Sequence, residues 1–324
     1  MRVYWKEGLR VDSYNGDFKL KFGGRSQNDW AFFSEGDDIK SSIGNSQDGT
    51  EFRRARFFVS GTIYEQFEFK AQYDFEDGIA DWKDVWIAAK KVPLVGTLKI
   101  GHFKEPFGLE ELTSSKDITF MERSLTNAFV PDRNTGFAIS NNALNQRIAY
   151  SAGVFRETGA FGEGQSDSGN INLTARISGL PLWNEEGDHY LHLGAAASVK
   201  NIDDTYSTSS NAESHMAKTL LGIADLTANS VNLYGAEIAY VRGPCSVQSE
   251  YMPTDIDANA GAKDATFDAY YLAGSYFITG EHRRYKPGSG VFDKIRPNRN
   301  FGFGEEGGPG AWELAIRYSH IDLE

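Results

Sequence analysis

The chain has 324 residues, with 33 Lys+Arg against 45 Asp+Glu and a formal net charge of −12, which argues against a nucleic-acid partner because that would need a basic face. One cysteine, Cys245, excludes an intramolecular disulfide framework and a cysteine-rich metal site. There is no apolar run of the ~18 residues a transmembrane helix requires. A barrel strand alternates lipid-facing and lumen-facing residues, so that absence leaves a β-barrel open.

The composition suits strands separated by turns: 13% aromatic residues (including 15 Tyr and 22 Phe), 34 Gly and only 9 Pro. Length alone suggests about two domains, but one closed sheet can use several hundred residues, and a single domain over 1–324 is expected. Met1-Arg2-Val3-Tyr4-Trp5 runs straight into polar sequence, so either a leader has been removed or the chain is a fragment.

In chain order, period-two patterning predicts strands near 18–33, 51–63, 67–76, 83–90, 97–104, 135–142 and 146–156. It continues near 170–179, 189–199, 231–242, 245–253, 266–279, 281–287 and 311–320. The clearest case is Phe67-Glu68-Phe69-Lys70-Ala71-Gln72-Tyr73-Asp74-Phe75, apolar at every odd position and charged or amide at every even one. Asn170 to Ser178 and Trp312 to Tyr318 repeat it. The one helical candidate is a short piece inside 110–126.

The connections alternate in length. Long ones are 34–50, 105–134, 157–169, 200–230, 254–265 and 288–310; short ones lie near 64–66, 91–96, 143–145, 180–188, 243–244 and 280. Only 77–82 is a weak long slot. Outer-membrane barrels sort loops this way because external loops work while periplasmic turns merely reverse the chain. A soluble sandwich has no reason to do so. The fold class expected is therefore all-β, a transmembrane antiparallel β-barrel of the bacterial outer membrane, with about fourteen strands present. The last strand runs into Ile321-Asp322-Leu323-Glu324 with no aromatic terminal strand. Because a missing stave leaves two edges unpaired in lipid, a C-terminal truncation of roughly two strands is expected.

Glu51-Phe52-Arg53-Arg54-Ala55-Arg56 opens the second strand, and Leu98 to Glu110 leads into Thr113-Ser114-Ser115-Lys116 and Met121-Glu122-Arg123-Ser124-Leu125. With Lys19 to Arg25, Tyr73-Asp74-Phe75 and Asp84, these segments resemble the phosphate-selective O/P porin family, most strongly over 15–140. The resemblance implies a sixteen-stranded barrel, a homotrimer, and a third external loop, 105–134, that folds into the lumen and narrows it. It also implies that Arg25, Arg53, Arg54 and Arg123 are the basic positions, Ser114 and Ser115 hydroxyl donors, and Asp84 an acidic partner. Lys104 and Lys116 belong to the same pore lining. Strand parity points Arg54 inward, opposite Phe57, Val59 and Ile63; the same parity puts Arg53 on the outer face, so its inward role rests on the resemblance alone.

Two departures stand out. Glu111 occupies the place of a phosphate-contacting lysine, and Arg56 that of a tyrosine. Loop 105–134, counted from Lys104, carries Lys104, Lys116, Arg123 and Arg133 against Glu105, Glu110, Glu111, Asp117, Glu122 and Asp132. The function implied is passive uptake of small anions, phosphate or polyphosphate among them. The alternatives are a general small-solute porin, a non-conducting barrel whose loops 200–230 and 288–310 engage partners, or a soluble extracellular β protein.

Other groups have blander readings. Arg56 and Arg123 would pair with Glu122 or Asp84 to hold the loop. Arg147, Arg176 and Arg317 would solvate the lumen, His282 to Lys286 would be a solvated strand end, Asp203-Asp204 would solvate a loop, and 200–215 would be a mobile external loop. Asp255, Asp257 and Asp264 lack EF-hand spacing, and the six histidines show no metal spacing. No catalytic arrangement stands out, so no enzyme activity and no cofactor are expected. The expected partners are outer-membrane lipid and lipopolysaccharide, further copies of the chain and small anionic solutes.

Overall fold

The computed structural model describes residues 1–164, 170–259, 263–304 and 307–323, without the side chains of 77, 203–205, 224 and 225. Parts of loops 157–169, 254–265 and 288–310, and the reading of Asp203-Asp204, therefore lie outside the described residues.

Fifteen strands form one antiparallel sheet in which chain neighbours are sheet neighbours. They are β1 (Arg2–Trp5), β2 (Leu9–Asp12), β3 (Phe18–Ala31), β4 (Gly49–Ile63), β5 (Phe67–Asp74), β6 (Asp81–Val92), β7 (Gly96–Lys104) and β8 (Arg133–Ala143). β9 (Ile148–Arg156), β10 (Asn172–Trp183), β11 (His189–Ser210), β12 (Leu221–Arg242), β13 (Cys245–Ala258) and β14 (Ala265–Phe277) follow. After a two-stranded clip, β15 (Tyr285–Lys286) and β16 (Val291–Phe292), the wall ends with β17 (Glu313–Asp322). A short helix α1 (Asp37–Ile43) lies in the first long loop, and α2 (Leu109–Leu112) within the expected inward loop. No described helix is long and apolar enough to cross a membrane.

The alternation is expressed as expected. Phe57, Ile87, Phe137, Leu173, Ile177, Ile238, Leu272 and Ile316 face outward and are exposed. Such a greasy outer face is stable only against acyl chains. β11 and β12 run 22 residues each, so the Ser- and Asn-rich stretch expected as loop is mostly a long hairpin with its turn near 211–220. At ~3.3 Å per residue these strands far exceed the ~25 Å apolar band, so their polar ends stand in water and need no greasy face.

Two expectations fail. The segment 281–287 is not a wall strand. β17 pairs directly with β14, Gly274 opposite Ile316. Charged residues fall on both faces of 281–287, so neither face could meet lipid. The segment folds inward instead, burying Tyr285 and Phe292 against Leu109, Leu180, Tyr190, Ala239 and Val241. This moves the long connection 278–312 to the rim of short turns, since the Phe277 amide donates to the Pro244 carbonyl beside the 243–244 turn. Strict sorting of loop length by parity breaks there. The four-residue β1 and β2 were also not foreseen, being too short to show a period.

Loop 105–132 crosses the inner side of the sheet and is held at both ends of the strand order. Arg25 of β3 donates to Ser115 Oγ at 2.6 Å, and Arg53 of β4 to Glu122 at 2.6 Å. Far along the chain, Glu250 of β13 accepts from the amides of Leu109 (2.7 Å) and Glu110 (2.8 Å) and from the Tyr271 hydroxyl (2.8 Å). Arg317 of β17 pairs with Glu110 at 3.2 Å. One segment thus touches β3, β4, β13 and β17, which requires the sheet to curl round it. Phe107 and Phe129 of the loop join Val231, Leu233, Met252, Ile256 and Phe267 in a buried cluster that fills the β11–β14 side.

Two outcomes follow. Glu250→Leu leaves two amides and a hydroxyl without their acceptor, at about 1–3 kcal/mol each. Trypsin is expected to cut at Lys116 or Arg123 faster in the variant than in the wild type while the sheet stays folded; unchanged protection would show that Glu250 does not hold the loop. Gly101 has φ +135°, and an added Cβ would lie 2.3 Å from the Val85 carbonyl oxygen. Gly101→Ala is expected to cost about 1–3 kcal/mol and lower the thermal midpoint in detergent.

Candidate functional site

The segment that fills one side of the interior leaves a cavity of about 920 Å³ against β3 to β8. Its lining brings together all ten residues singled out from the sequence: Arg25, Arg53, Arg54, Arg56, Asp84, Lys104, Ser114, Ser115, Lys116 and Arg123. Lys21, Lys70, Lys83, Lys99, Arg133 and Lys294, which the sequence reading did not assign to the pore, line it as well. Thirteen Lys and Arg face six Asp and Glu around this space, an excess of seven positive charges in a chain that is acidic overall.

Two irregularities in the sheet concentrate that charge. Gln27 pairs with Arg54 while Asp29 pairs with Glu51, so Phe52 and Arg53 together oppose Asn28. This β-bulge reverses the parity beyond it. Phe52 turns outward, and Arg53 comes inside next to Arg54, correcting the parity argument that put Arg53 on the outer face. The pairing of β5 with β6 slips in the same way, Ala71 with Val85 and Tyr73 with Trp82, so that Lys83 and Asp84 together oppose Gln72 and both reach the cavity. A single extra residue inverts every later assignment made by counting in twos, and the sequence carries no mark of it.

The cations differ in what holds them. Arg53 is bound on two sides, by Glu76 at 2.7 Å and Glu122 at 2.6 Å. Arg54 lies 3.4 Å from Glu122. Burial pushes the Glu122 carboxyl up, but the hydrogen bond and charge of Arg53, with Arg54 beside it, outweigh that and hold it below the usual carboxylate range. Arg56 pairs with Asp74 at 2.6 Å, not with Glu122 or Asp84. Asp84 is shared by Lys70 at 2.5 Å and Arg133 at 3.0 Å. Lys116 is half-exposed beside Asp117 at 2.9 Å. Arg123 pairs with Glu111 at 3.1 Å and donates to the carbonyls of Glu110, Glu111 and Thr113, so it staples the turn of the loop together.

Three lining cations have no carboxylate partner among the described residues. Arg25 stands directly opposite Arg56 in the β3–β4 register and is met only by Ser115 Oγ; its Nε is buried without an acceptor. Lys21 sits over the Phe58 ring at 5.7 Å, and Lys99 over Trp86 at 4.6 Å and Phe103 at 5.0 Å. Aromatic faces hold a cation without cancelling its charge.

Of the six acids counted in the loop sequence, Glu111, Glu122 and Asp132 line the cavity, while Glu105 and Glu110 are held elsewhere. Glu105 is fully buried and accepts from Asn134 (2.7 Å), Asn172 (3.0 Å) and Thr174. Glu110 accepts from the Ser124 amide (2.9 Å) and hydroxyl (2.8 Å) and meets Arg317. Of the lumen-solvating arginines expected, Arg176 instead clamps Glu237 (2.8 and 2.6 Å) and the Gly290 carbonyl, Arg317 binds Glu110 and Glu213, and Arg147 donates to the carbonyls of Leu180 and Trp183. The basic run 282–286 lies mostly against the wall rather than along the open cavity: the Tyr190 hydroxyl donates to the Arg283 carbonyl, and Tyr285 contacts His192 at 2.5 Å.

A family model described as phosphate-selective porin O and P matches residues 20–324. Porin O of Pseudomonas aeruginosa is 29% identical over 348 residues, spanning 98% of this chain and 76% of that protein. An uncharacterized protein of Caulobacter vibrioides is 27% identical over 338 residues, spanning 99% of this chain and 64% of its own length. A loop-L8 deletion mutant of OmpT, an outer membrane protein of Vibrio cholerae, shares the fold, with a TM-score of 0.51 at 13% identity over 82% of this chain and 79% of that one. The outward apolar strands, the cationic cavity and the match over nearly the whole chain agree: the chain belongs to the phosphate-selective porin O and P family and is a bacterial outer-membrane porin.

Proposed function

We propose that this porin is an anion-preferring diffusion channel whose lumen is narrowed by loop 105–134. The observation that carries this reading is the excess of seven positive charges around the cavity, with Arg25, Lys21 and Lys99 free of carboxylates among the described residues. Fixed cations in a narrow aqueous space raise the local anion concentration and exclude cations. The guanidinium fork of Arg25 and the hydroxyls of Ser114 and Ser115 can replace part of an oxyanion's hydration, and a spread-out row of weak contacts lets the ion leave again. Small anions, including phosphate, are the solutes this chemistry accepts. In this reading the whole chain is one barrel domain, the protein is a channel and not an enzyme, and it uses no cofactor. Its greasy outer faces meet outer-membrane lipid and lipopolysaccharide, and it assembles as a homotrimer, as the family resemblance implies.

The zero-current potential of the purified porin in a planar bilayer under a KCl gradient tests this. An anion-biased potential is expected, and Arg25→Gln should lower the chloride-over-potassium permeability ratio roughly two- to fivefold, the scale of about 0.5–1 kcal/mol for one partly screened charge. A cation-biased wild type would refute the anion preference. Conductance without bias would favour the general small-solute porin.

A further inference from the structure

Glu111 is 3% exposed, yet its carboxylate belongs to the lining of a cavity rich in positive charge. One oxygen lies 2.5 Å from Lys104 Nζ and the other 3.1 Å from Arg123 Nε. An ammonium and a guanidinium at ion-pair distance from the two oxygens of one anion, with Lys104 also donating to the Glu111 carbonyl, is the charge arrangement a tetrahedral oxyanion would be offered. Here the anion is part of the chain. Its backbone is fixed: the neighbouring amides of Leu109 and Glu110 are bound by Glu250, and the Glu110, Glu111 and Thr113 carbonyls by Arg123.

We propose that Glu111 acts as a built-in counter-anion that occupies the Lys104–Arg123 pair and keeps it closed to phosphate and similar oxyanions. A carboxylate held in place by a fixed backbone competes at an effective concentration above that of a millimolar solute. An incoming oxyanion therefore displaces Glu111 only at high concentration and otherwise meets Arg25, Ser114 and Ser115 without being trapped. The pore is thereby set for throughput of small anions over capture of phosphate. This rests on the anion-channel reading above.

The test is block of chloride current by inorganic phosphate, measured on wild type, Glu111→Gln and Glu111→Ala. Glu68→Gln serves as the control, because Glu68 faces the inner side of β5 beside Lys90, outside the cavity lining. Both Glu111 variants should lower the half-blocking phosphate concentration at least about tenfold, since two opposed cations are freed together, and the control should stay within about twofold. Half-block within about twofold of wild type in both Glu111 variants overturns the proposal while leaving an anion-biased wild type intact. Loss of stable current in both variants overturns it too, because Glu111 would then be a structural anchor. A cation-biased wild type instead removes the channel reading on which the proposal stands.

Discussion

Inside a bilayer no water is available to satisfy backbone amides and carbonyls, so each strand must find its partners in its neighbours. The consecutive antiparallel order of β1 through β14 and β17 is the simplest arrangement that does this, because short turns suffice between adjacent strands. From that pairing follows the alternation of side chains: Phe57, Ile87 and Ile316 against lipid, and Arg54, Lys70 and Asp84 toward water. The wall alone would enclose a broad opening. What narrows it is the loop, whose apolar anchors Phe107, Leu109 and Phe129 are joined by polar ones. Buried carboxylates of the loop and the wall, Glu105, Glu110 and Glu250, each bind several donors and so fix where the loop crosses.

The same anchoring explains how an acidic chain builds a basic cavity. Net charge is a property of the whole sequence, while an ion in the pore responds to what lines its path. Glu105, Glu110, Glu237 and Glu250 are all buried in hydrogen-bonded networks away from the cavity. The thirteen lysines and arginines left in the lining cannot all be paired by the six acids beside them. The interior is consequently lopsided: β11 to β14 carry the apolar cluster and the inward clip of β15 and β16, and β3 to β8 carry the cationic lane.

Much of this was legible in the residues. The alternation in β5, in β17 and in β10 up to its bulge after Gly179 follows the pattern, and those strands lie where the pattern put them. The basic and hydroxyl positions named from family resemblance converge on one cavity. What escaped is what local pattern does not encode. The bulge at Phe52-Arg53 changes parity without changing composition. The stretch 281–287 has charged residues on both faces and so no lipid-compatible face, a distinction that depends on knowing where lipid is. Partner choice was likewise hidden: Arg56 chose Asp74, and Arg123 and Lys104 chose Glu111, across distances in sequence that charge counting does not resolve.

The claim at the centre is that anions travel along the β3–β8 side, over cations that no carboxylate neutralises. Crystals of the porin soaked in bromide, and separately in rubidium, would test it by anomalous scattering. Bromide along Arg25, Lys21 and Lys99, with no rubidium in the cavity, is the expected result; rubidium ordered in that lane with no bromide would contradict it.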